Sequence, residues 1–229
     1  MIGIIGAMTL EIEGLRALMT DKQEKTVSGI KYVSGIIENQ RVVTAVSGIG
    51  KVFAAICAQT MILEYNPDVI INTGVAGTLT EGLSIGDIAV AKNVVQHDMD
   101  TSPLGDPKGL ISGINVIYID SDIKTSEGLS KAAKELNINT VSGTVASGDQ
   151  FIASKDKKTE IVESFNAVAC EMEGAAVGQV CYVNKKPFAV LRAISDSADG
   201  SAELDYPTFS RMAAENYVKV VCVYLKSLN

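Results

Sequence analysis

The sequence predicts an α/β fold in which helices cover both faces of a central twisted sheet, giving three layers. Short apolar runs alternate along the chain with longer segments of helical spacing, which is typical of a mixed, mostly parallel sheet. The chain has 229 residues, of which 47% are hydrophobic. That is enough to bury one sizeable core, so we predict a single domain over residues 1–229.

The N-terminal half is predicted to contain five strands and two helices. Residues 1–7 form a buried strand because nearly all are apolar, and residues 9–19 form a helix with leucines on one side. Two paired strands, over 30–37 and 41–47, are expected on either side of the turn-forming segment Glu38-Asn39-Gln40. The remaining predictions are strands over 68–73 and 87–95, a helix over 51–64, and a long polar loop over 99–114.

The C-terminal half continues the same alternation. Its predicted elements are helices over 122–136, 155–164 and 172–182, and strands over 140–147, 167–170 and 187–194. A last helix can be capped by Asp205, with Pro207 in its first turn. This helix has an apolar stripe formed by Val218, Val221, Cys222 and Leu225.

Composition excludes several classes of function. The net charge is −7 and the basic residues are scattered, which argues against nucleic-acid binding. No apolar run approaches the ~20 residues of a membrane span, and the N-terminus lacks the basic region of a signal peptide, so we expect a cytoplasmic protein without membrane contact. One histidine and four cysteines without a Cys-x-x-Cys pair predict no metal site, and the glycine spacing after the first strand does not match a dinucleotide-binding loop, so no cofactor is expected.

Acidic residues follow two of the predicted buried strands. Glu171 and Glu173 follow the strand over 167–170, and Arg192 and Asp196 follow an apolar run in the strand over 187–194. Open α/β sheets hold their ligand sites at the carboxyl ends of strands, and burying an acid is costly unless it is paired. We therefore predict a site at this edge of the sheet. Glu11 lies in the first turn of its helix, and taken by itself it is better explained as a solvated acid that interacts with the helix dipole.

Six segments in this order resemble the 5'-methylthioadenosine/S-adenosylhomocysteine nucleosidase family, within the purine nucleoside phosphorylase superfamily. They are residues 2–8 with Glu11, then 47–51, 72–77, 147–152, 171–173 and 192–196. The resemblance implies a nucleoside phosphorylase-like fold, a homodimer, and a small-molecule nucleoside and water as reactants. Family members hydrolyse the N-glycosidic bond of methylthioadenosine, adenosylhomocysteine and 5'-deoxyadenosine, which releases adenine and the 5'-substituted ribose in methionine salvage and methyl-cycle recycling.

The resemblance also assigns chemical roles to three acids. Adenine is a poor leaving group as an anion, so a general acid must protonate its ring, and Asp196 matches the residue that does so at N7. A carboxylate on the opposite face must activate water, as in glycosidases, and Glu11 matches that base. Glu173 matches the family's contact to the ribose hydroxyls.

Further residues match the family's binding surfaces. Phe151 matches the position that stacks on the purine, and Ile152 the position whose backbone reads the adenine edge. Arg192 is expected to orient the water or a carboxylate, with a buried structural ion pair as the alternative. Val75 departs from the family, which often has a hydroxyl residue there. The other matches are Ala76, Gly77, Met172 and Ser195 around ribose and base, and Met8, Ile49 and Phe209 around the 5'-thio group.

Three alternatives remain from the residues themselves. A nucleoside phosphorylase on this fold would need converging arginines or backbone amides for phosphate, and Glu11 would repel the anion, so hydrolysis is preferred. A hydrolase of futalosine or another 5'-modified nucleoside would share the base and ribose contacts. A non-catalytic nucleoside sensor should lack Glu11 or Asp196. For the homodimer, the sequence offers the loop over 99–114 and three apolar residues, Val94, Val95 and Leu104.

Overall fold

Strands and helices alternate along most of the chain. The structure is a computed structural model that describes residues 1–198 and 206–229. Its strands are β1 (Ile2–Gly6), β2 (Thr20–Val27), β3 (Ile30–Ile37), β4 (Gln40–Val46), β5 (Val69–Thr78), β6 (Ile88–Gln96), β7 (Tyr118–Asp120), β8 (Thr140–Ser147), β9 (Ala167–Glu171) and β10 (Phe188–Asp196). Its helices are α1 (Thr9–Leu18), α2 (Lys51–Tyr65), α3 (Ile123–Glu135), α4 (Lys155–Phe165), α5 (Gly174–Val183) and α6 (Tyr206–Lys226), with a 3-10 helix at Ser102–Leu104.

All ten strands join one mixed sheet, as the alternation predicts. Strands β4, β1, β5 and β10 run side by side and parallel, whereas β6, β8 and β9 run the opposite way. Five of the ten strand pairings in the described residues are parallel, so parallel pairs do not form the majority that the sequence predicts. Because β5 pairs with both β9 and β10, the strands β5, β9, β8, β6 and β10 close into a ring.

The ring brings several strand ends together. Strand β9 meets β5 only at their carboxyl ends, where Gly77 pairs with Cys170. Gly77 also pairs with Asp196 at the end of β10, and Ser147 pairs with Glu171 where β8 and β9 end. The carboxyl ends of β5, β8, β9 and β10 therefore lie at one place, although these strands do not all run in the same direction.

Two apolar layers confirm the three-layer arrangement. Helices α2 and α5 pack on each other and bury Cys57, Met61 and Val177 against one face of the sheet. Helices α1, α3 and α6 cover the other face with residues that include Leu15 and Leu129. Burial of these apolar stripes supplies most of the driving force for the arrangement.

The structure adds to the predicted elements and lengthens some of them. Strand β2 is not predicted because seven of its eight residues are exposed on an edge strand, so no apolar alternation marks it. Strand β7 has only three residues. Strands β5 and β10 extend five and two residues beyond their predicted ends, to Thr78 and Asp196. The predicted cap Asp205 lies outside the described residues.

Two of the three residues proposed for a dimer contact are buried inside the subunit. Val94 and Val95 are 0% and 1% exposed because β6 is covered on both faces, so neither can contribute to an interface. Leu104 is 85% exposed, so its side chain remains available for a contact with a second copy. The thiols of Cys57, Cys170 and Cys181 are buried and unpaired. Within the described residues, no helix is long and apolar enough to cross a membrane.

Candidate active site

A cavity of about 340 Å³ opens at the place where the strand ends meet. It is lined by eleven of the thirteen predicted site residues: Met8, Glu11, Ile49, Ala76, Gly77, Phe151, Ile152, Met172, Glu173, Ser195 and Asp196. Five further residues line it without having been predicted as site residues: Ala7, Val75, Gln150, Cys170 and Glu171. Its volume falls in the range of small-molecule sites.

Glu11 is held in the cavity wall by backbone groups. The side chain is 3% exposed, and its carboxylate accepts N–H bonds from Ala7, Met8 and Val75 at 2.6, 2.9 and 3.1 Å. Burial raises its pKa above 4.5, although these three bonds and the charge of Arg192 act in the opposite direction. A Cβ on Gly74 would lie 2.6 Å from Glu11 Oε1, so glycine allows this close approach of β5.

Glu171 forms the second buried carboxylate, and it is paired with Arg192. The Arg192 guanidinium donates to Glu171 Oε2 from both Nε and Nη2, and the Ser147 hydroxyl donates to Oε1. The backbone N–H groups of Glu173 and Gly174 donate to the same carboxylate. Burial alone would raise the pKa of Glu171, but Arg192 and these donors outweigh it and hold the pKa below 4.5.

Glu173 precedes α5 and faces a different environment. One oxygen accepts the N–H of Gly50 at 2.7 Å, and the side chain lines the cavity. Burial, and then the neighbouring Glu171 carboxylate, raise the pKa of Glu173 to about 7. Three buried glutamates with Arg192 among them thus have their pKa values moved in different directions.

Asp196 ends β10 on the wall of the cavity that also contains Gly77. It is 4% exposed, and its two oxygens accept from the Ser195 hydroxyl and from the N–H of Ala198, each at 2.9 Å. These two donors fix the orientation of the carboxyl group. The adjacent Gly77 would place a Cβ 2.7 Å from Asp196 Oδ1, so a side chain there would displace the acid.

The mouth of the cavity is apolar and partly open. Phe151 and Ile49 are 58% and 55% exposed, whereas Ile152 is buried. Phe151 and Ile152 follow β8 in one loop, and Ile49 precedes α2 in another. An exposed aromatic ring at the edge of a cavity offers a flat surface on which a base can stack.

Known proteins resemble this chain over nearly its full length. The family model for the Phosphorylase superfamily matches residues 1–226. The 5'-methylthioadenosine/S-adenosylhomocysteine nucleosidase of Staphylococcus carnosus (strain TM300) is 40% identical over 230 residues, which covers 100% of both sequences. This chain belongs to that nucleosidase family.

Solved structures of a nucleosidase and of a futalosine hydrolase have nearly the same fold as this chain. The Neisseria meningitidis nucleosidase in complex with methylthio-immucillin-A is 36% identical, with a TM-score of 0.95 over 99% of this chain and 98% of that chain. The futalosine hydrolase of Helicobacter pylori strain 26695 is also 36% identical, with a TM-score of 0.94 over 99% of this chain and 97% of that chain.

Two residues predicted from the nucleosidase family do not line the cavity. Arg192 is 1% exposed, and its guanidinium is occupied by Glu171, by both oxygens of Asn72 and by the Leu191 carbonyl. A guanidinium enclosed in this way holds a carboxylate and leaves no face open to a nucleoside. Phe209 is half-buried in α6 and is absent from the described lining of the cavity.

Val75 occupies a position where the nucleosidase family often has a hydroxyl residue, and the structure shows what Val75 contacts. Its side chain lies against the core, and its N–H donates to Glu11. Any residue other than proline supplies that N–H, so the contact to Glu11 does not depend on a hydroxyl group. Glu171 received no role of its own from the sequence, although it is one of the acids at strand ends that predict the site and lies two residues before Glu173.

Proposed function

We propose that this protein hydrolyses the N-glycosidic bond of 5'-methylthioadenosine and S-adenosylhomocysteine, and also of 5'-deoxyadenosine. The products are adenine and the ribose that carries the 5' substituent. The observation that carries the proposal is the charge of the cavity wall. Four acids line it, Glu11, Glu171, Glu173 and Asp196, and among the described lining residues there is no lysine, arginine or histidine.

This charge favours water over phosphate as the nucleophile. A phosphate dianion entering the cavity would meet several carboxylates at low dielectric, where repulsion between like charges is strong. The nearest cation, Arg192, is already paired with Glu171 behind the wall. Conversely, the departure of adenine leaves positive charge on the ribosyl group, which nearby carboxylates stabilise.

Asp196 is the proposed general acid. It donates a proton to adenine N7 as the glycosidic bond lengthens, so that the base leaves as a neutral molecule. The carboxylate that remains accepts bonds from the Ser195 hydroxyl and the Ala198 N–H, and both donors are in place before the reaction. Such preorganised donors assist the transfer because they stabilise the charge that it creates.

Glu11 is the proposed general base. Its three N–H donors fix the carboxylate, and burial makes it a stronger base than an exposed glutamate. It removes a proton from the water that attacks the ribosyl cation. Glu173 accepts hydrogen bonds from the ribose hydroxyls. Arg192 does not contact the nucleoside, but it holds the Glu171 carboxylate, which in turn accepts the N–H of Glu173 at the start of α5.

The test is incubation of the purified protein with each nucleoside in the presence and absence of phosphate. We expect adenine and free 5-methylthioribose from methylthioadenosine at every phosphate concentration. Formation of a sugar 1-phosphate would replace the hydrolase with a phosphorylase. Futalosine, assayed in parallel, tests for the activity of the related hydrolase.

We also propose that the protein is a cytoplasmic homodimer. Six apolar side chains of α2 and α5 are at least 41% exposed, and the two helices pack side by side: Val52, Phe53, Ile56, Leu63, Tyr182 and Val183. Exposed apolar side chains on two adjoining helices support contact with a second copy. The family resemblance implies that the loop after β6, which contains Leu104, reaches the 5' pocket of the second copy.

Sedimentation equilibrium at micromolar concentration tests the dimer. We expect Val52→Glu to shift the protein toward the 24.2 kDa monomer, because it places a charge in the apolar surface. The matched control is Ile123→Glu on α3, since Ile123 is equally exposed at 72% but lies elsewhere. A parent protein that sediments as a single 24.2 kDa species would exclude the dimer.

A further inference from the structure

Lys51 is the first residue of α2, does not line the cavity, and connects the start of this helix with the loops that follow β6 and β8. Its ammonium group donates to Asp98 Oδ1 at 2.6 Å and to Gln96 Oε1 at 3.0 Å. Asp98 accepts the N–H of Asp149 on its other oxygen at 2.9 Å. The side chain of Asp149 in turn accepts the backbone N–H of Lys51 at 2.8 Å. These contacts form a closed cycle, which we call the Lys51 network: Lys51, Asp98 and Asp149.

Within the Lys51 network, the pair formed by Lys51 and Asp98 is partly shielded from solvent, whereas Asp149 is exposed. The side chains of Lys51 and Asp98 are 19% and 16% exposed, whereas those of the surface pair Lys25 and Glu64 are 55% and 33% exposed. A charge-assisted bond in a partly buried position contributes more than an exposed ion pair, whose typical contribution is about 0–1 kcal/mol. The bond between Lys51 and Asp98 is therefore the part of the Lys51 network that contributes most to holding the loops together.

Each end of the Lys51 network lies within two residues of the cavity lining. On one side, Gly50 donates its N–H to Glu173, and Ile49 lines the cavity. Gly50 has φ of +99°, and a Cβ there would lie 3.0 Å from Asp149 Oδ1, so the two loops touch at this point. On the other side, Asp149 is followed by three lining residues, Gln150, Phe151 and Ile152.

We propose that Lys51 and Asp98 are positioning residues that hold the loop of Ile49 and Gly50 against the loop of Phe151 and Ile152, so that base and ribose are bound between two prearranged surfaces. The inference rests on the proposed function, because it assigns those two loops to nucleoside binding. Neither residue contacts the nucleoside. Their contribution is to reduce the loss of loop freedom on binding.

Steady-state kinetics with methylthioadenosine separates positioning from stability. In Lys51→Met and in Asp98→Asn we expect KM to rise about tenfold, equivalent to about 1.4 kcal/mol, with kcat changed by less than about threefold. The split is expected because Glu11 and Asp196 lie outside the network. Lys51→Arg keeps the charge and should remain within about threefold of the parent KM. Lys25→Met, which removes an exposed ion pair, is the matched control and should leave KM unchanged.

The double variant Lys51→Met/Asp98→Asn tests whether the two residues act through one contact. We expect its KM to be no higher than that of the worse single variant, because both changes break the same pair. A lower melting temperature with an unchanged KM would overturn the proposal, and so would equal impairment of Lys51→Arg and Lys51→Met. If the parent protein does not cleave the nucleoside, the proposed function fails. Calorimetry with adenine then decides the inference alone: a Kd raised about tenfold in Lys51→Met supports it, and an unchanged Kd refutes it.

Discussion

Replacing Glu173 with glutamine should stabilise the protein at alkaline pH while impairing the enzyme. Burial and Glu171 raise the pKa of Glu173 from 4.5 to about 7. A glutamate that is harder to ionise in the folded state than in the unfolded state favours folding below pH 4.5. That contribution is lost as the pH rises toward 7, where the folded carboxyl group ionises. Glutamine has nearly the same shape, can still accept the Gly50 N–H, and carries no charge at any pH.

The size of the expected stabilisation follows from the shift in the pKa of Glu173. A change from 4.5 to about 7 corresponds to about 3 kcal/mol between the two protonation states. Compared with the parent, Glu173→Gln should therefore gain about 3 kcal/mol at pH 8 and less than about 1 kcal/mol at pH 5. For a domain of this size, that gain corresponds to roughly 6–12 °C in melting temperature at pH 8.

The assay is thermal unfolding of parent and variant at pH 5 and pH 8, without ligand. Glu163→Gln removes a charge from the exposed side of α4, and we expect no comparable gain from it. On the same preparations, kcat/KM for methylthioadenosine should fall about tenfold to a hundredfold in Glu173→Gln, since a hydrogen bond to a charged acceptor is weakened. A gain in melting temperature of equal size at both pH values would refute the reasoning, as would no gain at pH 8.

Three other substitutions test the proposed roles. Asp196→Asn should lower the rate of adenine release by about 10²–10⁴-fold while calorimetry still detects nucleoside binding, because only the transferable proton is lost. A variant with more than half the parent rate would remove Asp196 from the mechanism. Glu11→Gln should bind methylthioadenosine and turn it over very slowly, measured by single-turnover kinetics, and full activity would exclude it as the base. Arg192→Met should destabilise the protein by about 3–5 kcal/mol in denaturant unfolding, since it leaves the Glu171 charge buried and unpaired. Adding Glu171→Gln should recover part of that loss, and no recovery would contradict the pairing as its cause.

The elements that bury apolar residues were the predictable part of the fold. Strands β1, β5, β8 and β10 are runs of apolar or small residues, so their positions followed from the pattern. Strand β2 lacks this signal because it is an exposed edge strand. The closure of the ring could not be predicted either, since it depends on pairings such as that of Gly77 with Cys170, which are distant in sequence. The single domain stays a prediction, although all ten strands join one sheet.

The candidate site, like the fold, could be predicted from the sequence only in part. Residues that end buried strands, such as Glu173 and Asp196, could be proposed from sequence because their position is unusual for an acid. The residues that surround each acid could not be predicted from the sequence. Arg192 and Glu171 were predicted at the ends of different strands, and only the folded sheet brings their charges together. Val94 and Val95 show the converse error, because an apolar residue next to a loop has the same sequence pattern whether it is buried or exposed.

Arg192 determines how the buried charges of the site are distributed. It carries one positive charge near three glutamates, and it lowers the pKa of each of them to some extent. Direct pairing concentrates that effect on Glu171, which stays ionised, while burial raises the pKa of Glu11 and of Glu173. The cavity wall therefore combines a fixed negative charge with two carboxyl groups that are stronger bases than usual. Such a wall favours a reaction that generates positive charge on the ribose and transfers a proton from water, and it disfavours an anionic nucleophile.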